Sequence, residues 1–182
     1  MGGNLIYIIG ASGSGKDTLI NYARKSLCKN PNTIFAHRYI TRCYKKGEEN
    51  HIELSPEEFQ NRLDKGLFSM NWESYGILYG IGIELTYWLE KNLCVVVNGS
   101  RGYLPIAKKK FANLITILIN VSPEILQKRM IERKRDNLEE IKRRLARNSK
   151  FSYTEKVIKI DNNGLIEESG KHLINTLLGY IK

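Results

Sequence analysis

The chain is 182 residues long, 42% hydrophobic and 26% charged, with only 4 prolines, so it can bury a full core and is neither disordered nor low-complexity. Its 29 Lys and Arg against 19 Asp and Glu leave a formal charge of +10, which points to a polyanionic partner. No apolar run approaches the ~20 residues that span a bilayer, and three scattered cysteines, Cys28, Cys43 and Cys94, predict reduced thiols in a cytoplasmic protein.

Residues 5–9 (LIYII) are a short apolar run closed by glycine and predict a buried strand. No basic stretch precedes the run, and a Gly-rich loop stands where a signal cleavage site would be. Helical spacing follows from Thr18 to Cys28 through Leu19, Ile20, Ala23 and Leu27, and residues 34–40 predict a second strand. Ser55, Pro56 and Glu58 spell a helix start with a serine cap, a proline in the first turn and a glutamate completing a capping box. Residues 93–97 (LCVVV) and 114–121 (LITILINV) are almost continuously apolar, as strands covered on both faces are. Ser122, Pro123 and Glu124 open another helix, and Asn137 before Glu139 and Glu140 predicts a further cap. Residues 157–160 form a last short strand before a C-terminal helix ending near Lys182. Strands alternating with helices predict a doubly wound, parallel α/β sheet with ligands at the carboxyl ends of its strands.

Gly10, Ala11, Ser12, Gly13, Ser14, Gly15 and Lys16 satisfy G-x-x-x-x-G-K, directly after a strand and at the opening of a helix. Such a loop turns successive backbone N–H groups onto phosphate oxygens, with glycines at the positive-φ positions and the helix N-terminus adding partial positive charge. Lys16 is the candidate for the β/γ-phosphates of ATP. Asp17 follows where Ser or Thr normally ligates Mg²⁺. Its carboxylate is either a hard oxygen ligand for that metal or a first-turn complement to the helix dipole. Thr18 offers a hydroxyl to the α-phosphate. Further on, residues 127–150 hold ten Lys/Arg against four acids. Composition alone makes that segment a solvated helical face, and the lack of interleaved aromatics argues against a nucleic-acid partner.

Beyond the loop, residues 39–42 (YITR), Tyr79 with Gly80, and the basic segment with Arg144 are similar in order and spacing to guanylate kinases over nearly the whole chain. The runs HRYITR (37–42), ENHIELS (49–55), VNGSR (97–101), VSPEIL (121–126) and RRLAR (143–147) more closely resemble the ribose 1,5-bisphosphate phosphokinases of phosphonate catabolism, which share that fold. The resemblance implies one P-loop NTPase domain of guanylate kinase type. Its core would be 1–36, 91–126 and 151–182, with a small acceptor-binding insertion at 37–90 and a helical lid at 127–150. It implies transfer of a phosphoryl group from ATP, with Mg²⁺, to a small phosphorylated sugar, with neither nucleic acid nor membrane as partner.

By the same resemblance, Arg42 and Tyr79 grip the acceptor phosphate, Lys45 sits near a second phosphate-binding position, and Arg38 and Arg101 are candidates for the acceptor's two phosphates. Arg133 and Arg144 are the lid arginines that neutralise the transferring group, with Arg129 and Arg135 in support. Asn162 matches an adenine-contacting asparagine, although a plain Asx turn accounts for it equally well. Guanylate kinases place a glutamate where this chain has Asn71, and an acidic pair where it has Asn98, Gly99 and Ser100. A guanine-binding site needs carboxylates for the N1–H and N2 donors, so amide and hydroxyl groups here suit a sugar better. The alternatives left open are a nucleoside monophosphate kinase and a non-catalytic interaction module. The second is disfavoured because Gly10, Gly15, Lys16, Arg133 and Arg144 are all kept.

Overall fold

The computed structural model describes residues 2–44, 49, 51–132, 138–149, 151 and 157–181. Five parallel strands form the central sheet: β1 (Leu5–Gly10), β2 (Thr33–Phe35), β7 (Cys94–Asn98), β8 (Ile115–Asn120) and β9 (Ile158–Asp161), in the order β2-β7-β1-β8-β9. The apolar runs are continuous because the pleat sends alternate residues into two separate cores. Ile6 and Ile8 meet Leu19 and Ala23 of α1 (Lys16–Ser26) and Leu173 and Leu177 of α7 (Ile166–Leu178). On the other face, Leu5, Tyr7 and Ile9 meet Leu85 of α3 (Glu84–Glu90) and Leu104 of α4 (Leu104–Lys110). Each fully buried side chain of this size contributes roughly 1.5–3 kcal/mol.

Residues 34–40, expected as one strand, are divided between two sheets. β2 pairs with β7, and after Ala36 and His37 the chain leaves for β3 (Arg38–Ile40). No proline or glycine marks the break, so nothing local announces it. β3 belongs to a four-stranded sheet with β4 (His51–Glu53), β5 (Phe68–Ser74) and β6 (Ile77–Gly82), in the order β4-β3-β6-β5. β3 and β4 run parallel, and the other pairs are antiparallel. Helix α2 (Pro56–Asp64) starts as expected, with the Glu58 N–H donating to Ser55 Oγ at 3.1 Å, and it drops Phe59 onto Phe68 with ring centroids 4.6 Å apart.

Helix α5 (Pro123–Glu132) follows β8, and α6 (Leu138–Ser149) packs beside it through Leu126, Met130 and Ile141. The cap expected at Asn137 lies outside the described residues. α1 begins two residues before its expected start because Gly15, at φ 77°, serves as its N-cap, and α7 ends at Leu178 rather than near Lys182. Among the described residues no helix is long and apolar enough to cross a membrane.

Candidate active site

A cleft of about 350 Å³ opens at the carboxyl end of β1, between the two sheets and α6, and the whole of residues 10–18 lines it. Gly13 and Gly15 take φ values of 87° and 77°, which a side chain would strain, and Ser14 N–H donates to Ala11 O at 3.1 Å to close the turn. A Cβ on Gly15 would stand 2.6 Å from Asn162 Nδ2. That amide is 2% exposed and donates to Ser14 O at 2.7 Å. Asn162 therefore braces the loop from behind, and it is not among the residues that line the cleft.

Lys16 Nζ donates to Asn98 Oδ1 and stands 3.1 Å from Asp17 Oδ1, which also accepts from Asn98 Nδ2 at 2.8 Å. Burial pulls the Lys16 ammonium below its ordinary value, Asp17 offsets part of this, and Arg38 adds to it. Burial works to raise Asp17, but the charges of Lys16 and Arg38 and the Asn98 hydrogen bond outweigh it and hold the carboxyl well below the usual range. Asp17 is thus an ionised carboxylate on the cleft wall. Asn98, 6% exposed, ties these groups together from below and is not itself part of the wall.

The second sheet supplies the facing wall. Arg38 is buried and donates through both Nε and Nη2 to the two oxygens of Glu49, with its guanidinium carbon 5.0 Å from the centroid of the Tyr79 ring. Burial works against the Arg38 cation, yet Glu49 outweighs it and holds its pKa above the ordinary value. Glu49 Oε1 also accepts from Asn98 Nδ2 at 3.1 Å, so the two walls share one polar network. Arg42 Nη2 lies 3.8 Å from Glu49 Oε2. His51 bridges the backbones of these two residues, with Nδ1 3.1 Å from Glu49 O and Nε2 3.0 Å from Arg42 O. Burial raises the Tyr79 phenol against the opposing pull of Arg38 and Arg42, so it stays a neutral donor at pH 7.

Asn71 does not join this wall. β5 carries an irregularity between Phe68 and Met70, after which Trp72 and Ser74 line the cleft while Asn71 and Glu73 are exposed on the opposite face. Trp72 stacks flat on Tyr79, with centroids 5.5 Å apart. Ser100 and Arg101 close a third side. Ser100 N–H donates to Tyr7 Oη at 2.9 Å, and burial keeps that phenol protonated. Arg101 donates to Asn148 Oδ1 on α6 and lies 4.3 Å over the Phe151 ring. Arg144, also on α6, donates from Nη1 to Ser12 Oγ at 2.9 Å. Arg133, Arg135 and Lys45 lie outside the described residues. Arg129 approaches the back of Gly15 and is not part of the cleft wall.

Sequence reasoning missed Glu49, Trp72, Ser74, Tyr75, Asn148 and Phe151, all of which line the cleft. Glu49 stands within a run that carried the family resemblance, yet no motif assigned it a role. The alternation of Trp72 with Ser74 was a usable signal only for a strand whose pleat was already known.

No protein-family model matches the chain. It is 46% identical over 176 residues to a protein of Thiobacillus denitrificans named ribose 1,5-bisphosphate phosphokinase PhnN, covering 96% of this chain and 93% of that one. A protein of the same name from Psychromonas ingrahamii is 45% identical over 177 residues, covering 96% and 90%. Among solved structures, guanylate kinase from Anaplasma phagocytophilum superposes with a TM-score of 0.71 at 19% identity, covering all of this chain and 88% of that one, a likeness of fold.

Proposed function

This chain belongs to the ribose 1,5-bisphosphate phosphokinase family, and on that footing we propose that it transfers the γ-phosphoryl group of ATP to the 1-phosphate of ribose 1,5-bisphosphate in the cytoplasm. The products are ADP and 5-phosphoribosyl 1-diphosphate. An oxygen of the 1-phosphate forms the new bond to the γ-phosphorus as the bond to the β–γ bridging oxygen breaks. With a second pKa of about 6, the acceptor phosphate is already ionised at pH 7, and the reaction needs no general base. Positioning and charge neutralisation carry the chemistry.

The observation that carries this reading is the pairing of two cationic walls across one cleft. The phosphate loop with Lys16 faces Arg38, Arg42 and Tyr79, and Arg144 reaches Ser12 from α6. Helix α6 brings Arg144 to the transferring group, in the role of the lid expected at 127–150. Mg²⁺ would neutralise the β- and γ-phosphates and orient them. Asp17 fits it as a ligand: it is an ionised hard oxygen donor on the cleft wall, and a Mg²⁺ site in kinases uses one or two carboxylates plus phosphates and water. Among the described residues no group of three His, Cys, Asp or Glu side chains forms a separate metal site.

Selectivity against a purine acceptor has its own support. Of the described residues, the carboxylates on the wall are Asp17 and Glu49. Glu49 is engaged by both donor arms of Arg38, and Asp17 stands on the phosphate loop beside Lys16, where it suits the metal, so neither is placed to read a guanine on the facing wall. Arg101 and Ser100 suit the sugar's far phosphate and hydroxyls. The deciding experiment is product identification after incubation with MgATP and either ribose 1,5-bisphosphate or GMP. Formation of 5-phosphoribosyl 1-diphosphate with little GDP is expected; rapid GDP formation would overturn the assignment.

A further inference from the structure

The hairpin that presents Trp72 and Tyr79 turns at Tyr75 and Gly76, the two residues between the paired Ser74 and Ile77. Both have positive φ, 53° and 71°. This is the pattern of a type I′ turn, whose first central position favours Asn, Asp or Gly because a larger side chain is crowded in the left-handed region. Tyrosine breaks that local rule, and it is not compensated by burial, being 54% exposed. Its ring instead meets a group from the other side of the cleft: the Arg144 guanidinium carbon lies 5.2 Å from the ring centroid. The same guanidinium donates to Ser12 Oγ at 2.9 Å, and its Nε stands 3.6 Å from Glu140 Oε1. Arg144 is therefore held by the phosphate loop, by its own helix and by the tip of the acceptor-side hairpin. A residue kept in a disfavoured conformation beside a reacting centre, with a specific partner there, points to a task at that centre.

We propose that Tyr75 is a positioning residue for Arg144: the turn presents the aromatic face that docks the guanidinium over the phosphate loop. The proposal rests on Arg144 neutralising the transferring phosphoryl group. It makes the ring, not the hydroxyl, the working part. It also sets folding and turnover against each other, since Asn at this place suits the turn and removes the platform.

The test is steady-state kinetics on the full chain, with the acceptor that the wild-type enzyme turns over, together with thermal unfolding. Tyr75→Asn keeps or raises Tm while kcat falls roughly 3–30-fold and the KM for ATP stays within about twofold. Tyr75→Phe keeps kcat within about threefold, because the cation–π platform survives. Arg144→Ala alone lowers kcat by ~10²–10³, and adding Tyr75→Asn to it produces no further loss. Wild-type kcat in Tyr75→Asn, or an undiminished extra loss on top of Arg144→Ala, overturns the role of Tyr75 and leaves that of Arg144 standing. Normal turnover in Arg144→Ala overturns both, so the two failures are told apart.

Discussion

Glu49 is a carboxylate inside a cleft that must hold polyanions, and its neighbours explain how it is tolerated. Arg38 engages both of its oxygens and Asn98 one of them, so its charge is spent on fixing a cation and not on repelling a phosphate. Arg38 is thereby clamped between Glu49 and the Tyr79 ring. Glu49→Ala leaves a buried guanidinium without its counter-ion. The expected cost is about 3–5 kcal/mol, a fall in Tm on the order of 10 °C, with a raised KM for the acceptor. Thermal melts and acceptor titrations check this; an unchanged Tm would show that Arg38 finds its stabilisation elsewhere. At this scale the sequence was partly legible. Lys16, Asp17, Arg38, Arg42, Tyr79, Ser100, Arg101 and Arg144 do converge on one cleft. Asn71 does not, because a single irregularity in β5 exchanged the faces of the strand.

Helix α2 and the divided run at 34–40 show what a pattern can and cannot specify. The cap at Ser55 is a contact over three residues, so Ser, Pro and Glu in order are enough to place it. Ser55→Ala is expected to cost about 1 kcal/mol and to lower Tm by about 2–4 °C, with kcat untouched, since Phe59 still docks on Phe68. A loss of turnover larger than the loss of stability would tie this helix to the site. By contrast, β2 and β3 are near neighbours in the chain but pair with β7 and with β4 and β6. Their apolar character is the same on both sides of the break. Which sheet each joins is decided by partners as far as 61 residues away (Thr33 beside Cys94), and no window of local sequence contains that information.

Across the whole molecule, burial separates the three thiols. Cys28 and Cys43 are exposed, whereas Cys94 sits within β7 and burial pushes its thiol up to about 11. In the native protein two thiols are expected to react rapidly with a thiol reagent at pH 8 and the third only on unfolding. The folded state favours the neutral Cys94 thiol. Its contribution to stability is complete below the ordinary value of about 8.5 and is lost as pH rises toward about 11. Three fast-reacting thiols in the native state would contradict this packing. The sequence by itself determined the phosphate loop, the apolar strands of the central sheet and the helix starts at Ser55 and Ser122. Each of these depends on neighbours in the chain: glycines at positive φ, apolar runs a few residues long, a cap three residues from its donor. Tertiary structure alone decided that Asn162 braces the loop, that Asn98 links Lys16 to Glu49, and that Arg144 reaches Ser12 across 132 residues of chain. The reason is that strand pleat, one bulge and the meeting of two sheets choose which side of each element faces the cleft, and those choices are made only when distant segments pack.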